Sequence, residues 1–265
     1  QDIWGEILEE NSTAGITPDD VREAFSGFHG KISQKPPMYS AVRVGGRRLY
    51  DYARAGETVE VKEREVYIRG LEIEQMDFAH DSDVKKVTIT VECSKGTYIR
   101  TICEDAGRHL GCGAVMESLC RIASGAFKIE DAIDLYELVD TYSSRRFEGE
   151  KYFVEPAGEE ALCKIEKLVL PTDYPLTHFG SAVMDEAMGK KFIDGWHISF
   201  RDCEVTEKPE FEQKEPEFEI RPEYRGAYKM YRRTACGNDF LGVAFYSPKY
   251  KKLVADKVFC RNDEV

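Results

Sequence analysis

Between residues 93 and 101 the chain reads Cys-Ser-Lys-Gly-Thr-Tyr-Ile-Arg-Thr, which brings an ammonium at Lys95, a phenol at Tyr98 and a guanidinium at Arg100 close to a Lys-Gly turn. Cations beside a planar ring at a turn suit a phosphate-bearing ligand, since the charges meet oxygens and glycine lets the backbone approach. Upstream, Val87, Ile89, Val91 and Cys93 alternate with Thr88, Thr90 and Glu92, the period of a strand; downstream, Ile99, Ile102, Cys103, Ala106 and Leu110 follow helical spacing. The junction is predicted at residues 94 to 97. Tyr98 and Arg100, two apart, then flank one small site at the end of a sheet.

The elements that must hold this junction are signalled on both sides. Thr17-Pro18-Asp19-Asp20 is an N-cap, a first-turn proline and dipole-complementing acids, and Val21, Phe25 and Phe28 share a helical face with Gly30 as the expected stop. Pro36-Pro37 forces extended chain, Gly45-Gly46 predicts a turn before Leu49, Tyr50, Tyr52 and Ala53, and a strand pair is expected to follow. Val66 and Ile68 alternate, Gly70 breaks the phase, and Leu71 and Ile73 resume it, as a bulge allows. Helices are expected over 131 to 142 and 184 to 191. Asp194-Gly195, Gly237-Asn238 and the apolar runs 240 to 246 and 253 to 259 predict a small β-rich unit.

Composition bounds the function. With 265 residues, 42% hydrophobic and 32% charged, the chain has material for two soluble domains, and no apolar run approaches membrane-spanning length. The start lacks the layout of a signal peptide, so a cytoplasmic protein is expected. Eight cysteines contain no Cys-x-x-Cys pair and five scattered histidines show no metal spacing, which predicts buried free thiols and no metal site. A net charge of -12 argues against a general nucleic-acid binder, yet residues 31 to 69 hold nine Lys or Arg against five acids. Residues 204 to 223, with eight glutamates and three basic residues, predict a solvated loop.

Two tracts carry a resemblance. Gln34-Lys35-Pro36-Pro37-Met38-Tyr39-Ser40-Ala41-Val42-Arg43, then Gly46-Arg47-Arg48-Leu49-Tyr50-Asp51-Tyr52-Ala53-Arg54 and Gly56, resemble a signature of bacterial tRNA uridine-55 pseudouridine synthases of the TruB type. Residues 93 to 101 with Asp105, Gly107, Leu110-Gly111, Gly113-Ala114, Leu119 and Arg121 are similar to that family's second tract, in the same order. The resemblance runs over about residues 1 to 140. Residues 168 to 262 more loosely resemble the PUA-type RNA-binding appendage.

The resemblance implies an α+β pseudouridine-synthase core with a mixed or antiparallel sheet over residues 1–144, a linker over 145–167 and a small β-barrel-like, PUA-like domain over 168–265. It implies a cofactor-free isomerase that detaches uracil from its ribose and rejoins it through carbon 5, with tRNA as partner and a monomeric state. Arg100 would pair with the catalytic aspartate, Tyr98 would contact the uracil, Leu119 would wall the pocket and Lys95 would meet phosphate. An arm at about 31–69 would grip the T-loop through Arg43, Arg47, Arg48, Arg54 and Tyr39, the mix of phosphate neutralisers and rings that a splayed RNA loop requires. The family's Gly-x-Leu-Asp-Pro tract, which bears that aspartate, has no counterpart in these residues. A piece of a longer enzyme, inactive by itself, with exposed apolar surface and an unpaired sheet edge, is therefore expected. Glu104 and Asp105 are expected on the helix surface and Asp2 in a turn. Two other classes compete: a non-catalytic tRNA-binding or tRNA-folding module, for which a retained Tyr98/Arg100 pair has no use, and a structural protein with a basic patch, which leaves both tracts without a purpose.

Overall fold

The computed structural model describes residues 2–78, 85–149, 151–213 and 221–259. They fall into two compact units, Gln1–Cys120 and Arg121–Val265, with an α+β mixture of elements.

In the first unit, α1 (Pro18–Ser26) begins at the predicted cap. The Thr17 hydroxyl accepts the Asp20 N–H, and the Asp20 carboxylate accepts from the Thr17 hydroxyl and N–H, both at 2.7 Å. Those bonds hold the Asp20 carboxyl below its ordinary value. The helix buries Val21 and Ala24 and ends on Gly27. Gly30, expected as its stop, instead opens β1 (Gly30–Gln34) at a φ of +70° that disfavours other residues. The Gly45-Gly46 turn joins β2 (Arg43–Val44) to β3 (Arg47–Arg48), but Leu49–Arg54, expected in a strand pair, form a helix instead, α2, seated by the fully buried Leu49.

β4 (Arg64–Asp77) and β5 (Lys86–Cys93) complete a three-stranded antiparallel sheet in the order β1-β4-β5. The register slips between Ile68 and Gly70, which is the predicted bulge, and again between Ile73 and Gln75. α3 (Ile99–Leu110) packs on α1 and buries Ile102 and Ala106. β5 forms an edge of the sheet. Ile3, Trp4, Ile7, Leu8, Val115 and Leu119 lie exposed in this unit.

The second unit begins with β6 (Ala123–Ser124), β7 (Phe127–Lys128), a 3-10 turn at Ile129–Asp131 and α4 (Leu135–Tyr142), which Asp134 caps. Residues expected as a linker contain a hairpin, β8 (Ser143–Glu148) with β9 (Lys151–Pro156), and α5 (Glu159–Glu166). Then follow β10 (Gly180–Met184), α6 (Glu186–Ile193), β11 (Glu204–Glu207), α7 (Glu210–Gln213), α8 (Pro222–Arg225), β12 (Ala227–Thr234), β13 (Gly237–Ser247) and β14 (Lys252–Val258). The five strands pair in the order β11-β10-β12-β13-β14, with β10 and β12 parallel.

Among the described residues these strands form an open sheet, not the barrel-like closure expected, because β11 and β14 stand at opposite edges. Its core joins Met184, Phe192, Ile198, Met230, Leu241 and Leu253. The glutamate-rich segment is not wholly loop: residues 204–207 pair with β10 as an edge strand whose side chains stay in water. The seven described cysteines are free but not buried; four are exposed and three half-buried, and Cys260 lies outside the described residues. Cys93 and Cys120 end their apolar runs at exposed positions, so alternation alone overstated their burial. No helix among the described residues is long and apolar enough to cross a membrane.

Candidate active site

The predicted junction is a tight turn tied down at both ends. Ser94 donates its N–H to the Tyr67 carbonyl at 2.8 Å, and its hydroxyl accepts the Tyr67 N–H at 3.0 Å, so a side chain extends the β4–β5 ladder by one step. The Thr97 hydroxyl donates to the Ser94 carbonyl at 2.9 Å. Between them Gly96 has a φ of +85°, the conformation that the third position of such a turn requires of glycine. Lys95 sits exposed at the tip.

Tyr98 leaves this turn as the N-cap of α3, with an extended φ of -102°. Its backbone is held by Gln34, whose side chain is only 2% exposed. The Gln34 Oε1 accepts the Tyr98 N–H at 3.0 Å, and its Nε2 donates to the Tyr98 carbonyl at 3.3 Å.

In the first turn of α3, Arg100 reaches back across the unit. Its Nη1 lies 3.2 Å from Asp2 Oδ2, and its Nη2 donates to the Tyr39 carbonyl at 3.0 Å. Both ionic side chains are largely covered, 25% and 29% exposed. Asp2 is placed by its own backbone: it pairs with Met116 as an isolated parallel bridge, the Ile3 N–H bonds the Met116 carbonyl at 3.0 Å, and the Gly5 N–H returns to Asp2 at 3.3 Å. Asp2 is thus the expected turn residue and also an acid facing Arg100. The two lie 98 residues apart, beyond any local pattern. A guanidinium fixed by two acceptors on one side keeps other N–H groups for a further carboxylate or phosphate. Next in sequence to these contacts, the hydroxyls of Ser40 and Thr101 are buried without a hydrogen-bond partner among the described residues.

Of the other predicted residues, Leu119 is 62% exposed and walls no enclosed pocket among the described residues, while the Tyr39 ring is 61% exposed beside the backbone that receives Arg100. Glu104 and Asp105 pair with Arg108 at 3.5 and 2.8 Å along the helix surface, as expected. In the arm, Arg47 lies 4.2 Å over the Tyr52 ring and 3.0 Å from Glu57. Arg48 and Arg54 lie over Tyr50 at 5.5 and 5.3 Å, and Arg48 also donates to the Tyr50 hydroxyl. Arg43 faces Arg48 across the β2–β3 pair and is exposed. The arm is therefore a cluster of cations resting on rings. Asp2, Ser94 and the role of Gln34 escaped the sequence; for Gln34 the signal was an amide on the inward phase of β1, just before Pro36-Pro37.

A bulged antiparallel sheet, a pinned strand-to-helix turn presenting Arg100 and an arginine–tyrosine arm together make up an α+β unit. Among solved structures the chain is similar to a Cbf5-Nop10-Gar1 complex, with a TM-score of 0.62 at 20% identity over 96% of this chain and 65% of that one. It is also similar to an H/ACA RNP bound to a substrate RNA containing 2'-deoxyuridine, at 0.59, 16%, 96% and 64%. In sequence, residues 1–99 match the TruB family pseudouridylate synthase N-terminal domain and residues 100–177 the tRNA pseudouridylate synthase B C-terminal domain. The chain belongs to the TruB family of pseudouridylate synthases. The tRNA pseudouridine synthase B of Alkaliphilus oremlandii is 40% identical over 75% of this chain and 57% of its own length. That of Limosilactobacillus reuteri is 34% identical over 78% and 64%. The chain thus spans about three fifths of the length of relatives such as these.

Proposed function

We propose that this chain is the larger part of a tRNA pseudouridine synthase that isomerises uridine 55 of the T-loop without a cofactor. The observation that carries the proposal is Arg100, held by Asp2 and the Tyr39 carbonyl at a junction that also presents Tyr98. A cation fixed this firmly, two residues along the chain from Tyr98, suits a reaction in which an aspartate must be oriented while a free base is retained. In this proposal that aspartate comes from the family's Leu-Asp-Pro tract, which these 265 residues do not contain, and the chain alone forms no pseudouridine. Tyr98 meets the uracil, Lys95 a phosphate, and Leu119 becomes a pocket wall once the tract is present. The arm around residues 31–69 grips the T-loop through Arg43, Arg47, Arg48, Arg54 and Tyr39. Residues 168–265 act as a PUA-like RNA-binding domain, and the protein works as a cytoplasmic monomer.

The test uses the full-length protein and mass spectrometry of chemically labelled tRNA. Wild type is expected to form pseudouridine at position 55. Arg100→Met is expected to form none while keeping tRNA affinity within about a few-fold, because it removes an interaction that the chemistry needs more than binding does. Tight tRNA binding with no pseudouridine from wild type would instead establish a non-catalytic module. Equal losses of turnover and affinity in Arg100→Met would make Arg100 an RNA-gripping residue.

A further inference from the structure

Gln34 belongs to the first signature tract but has no part in gripping RNA, since it is buried at the end of β1. Its two hydrogen bonds both go to one residue, the N–H and the C=O of Tyr98, 64 positions away. A primary amide offering its donor and acceptor side by side imitates a peptide group, so the Tyr98 backbone receives the paired contacts a neighbouring strand would give it, although Pro36-Pro37 lies just beyond β1. The amide's orientation follows from the backbone, because an N–H only donates and a carbonyl only accepts.

Tyr98 needs this partner. It is an N-cap without a side-chain cap bond, and its N–H points away from the helix that begins after it. Its carbonyl already receives Thr101 and Ile102 at 3.1 and 3.3 Å, so Gln34 adds a third donor there and supplies the N–H with its acceptor. The other end of the same turn is tied by Ser94 to Tyr67. The segment is therefore stretched between two side-chain clamps, and Arg100 leaves from the downstream one.

From this geometry we infer that Gln34 is a positioning residue: it sets the backbone at Tyr98, and through it the Tyr98 ring and the Arg100 guanidinium, without touching substrate. The inference deepens the proposed synthase function and rests on it. An error of about 1 Å in a group that orients reactants costs about a hundredfold in rate, and loss of the amide leaves a partly buried N–H without its partner, which favours such a shift.

Three variants of the full-length protein decide it. Gln34→Met keeps the side-chain length and deletes both bonds; kcat is expected to fall by about ten- to a hundredfold with tRNA Kd within about threefold. Gln34→Glu keeps the acceptor for the Tyr98 N–H. When ionised it sets an oxygen against the Tyr98 carbonyl, and when protonated it restores a donor. Its kcat is therefore expected to approach wild type at acidic pH and to decline with rising pH where wild type does not. Val21→Ala in the buried face of α1 is the control, expected to lower Tm while leaving kcat unchanged at a temperature below both transitions. Hydrogen exchange over residues 94–101 is expected to accelerate in Gln34→Met and not in Val21→Ala.

Unchanged exchange in Gln34→Met overturns the clamp. So does a kcat within about twofold of wild type, a pH profile in Gln34→Glu that parallels wild type, or a kcat that falls equally in Val21→Ala. A wild-type protein that forms no pseudouridine refutes the synthase function and the positioning role with it, a result distinct from all of these.

Discussion

Gly107→Ala tests how Asp2 is kept in front of Arg100. Gly107 is buried in α3, and a Cβ added there would stand 2.1 Å from the Ala114 nitrogen, 2.3 Å from the Gly113 carbonyl carbon and 2.6 Å from the Ala114 Cβ. These are mostly backbone atoms that no rotamer change can move, so segment 113–116 must retreat by about 1 Å or more. That retreat breaks the bond from the Gly113 N–H to the Gly107 carbonyl, now 3.0 Å. Overpacking of this kind costs roughly 1–3 kcal/mol and the lost hydrogen bond about 1 kcal/mol more. Alanine's better helix propensity offsets about 1 kcal/mol. The expected net loss is roughly 1–3 kcal/mol in the first unit. Since Met116 carries the bridge to Asp2 and the bond from Ile3, the same displacement draws Asp2 away from Arg100. Urea unfolding followed by far-UV circular dichroism measures the loss, and hydrogen exchange over residues 2–5 and 107–116 locates it. Stability within about 0.5 kcal/mol of wild type, with unaltered exchange in both segments, would refute the steric account.

Two further outcomes are expected. Replacing Arg47 and Arg48 by alanine should weaken tRNA binding and flatten its salt dependence by a slope of about one per lost phosphate contact; an unchanged slope places the arm away from RNA. In the second unit, burial pushes the His178 pKa down against the pull of Glu210, so the fold favours the neutral ring. The stability this provides is present above the ordinary histidine pKa and is lost as pH falls through the lowered one. The His178→Phe variant should accordingly lose less Tm than wild type between about pH 7.5 and pH 5.5, and an equal loss in both proteins would assign the acid sensitivity elsewhere.

The local chemistry of the chain was legible where a short pattern determines the outcome. The Thr17 cap, the bulge at Gly70 and the span of α3 all follow from neighbours within a few residues. Leu49 to Arg54 were followed less well, because one buried leucine among tyrosines fits a strand or a helix equally, and the seating of Leu49 decides. At the site, the signature tracts identified Tyr98 and Arg100 but not their supports. Asp2 and Gln34 act through contacts across 98 and 64 residues, and an isolated acid or amide announces no such partner. Leu119 was singled out by resemblance alone, and its exposure shows why spacing offered nothing: no described element packs over it.

The arm's arginines have a thermodynamic consequence for any anionic partner. Arg47, Arg48 and Arg54 already rest on Tyr52 and Tyr50, and Arg47 also holds Glu57. Docking must exchange these internal contacts for external ones of the same kind, ring for base and carboxylate for phosphate, so the heat released is small. What remains is the release of counterions from the partner. In the proposed synthase, association of tRNA through this arm is therefore expected to be driven chiefly by entropy.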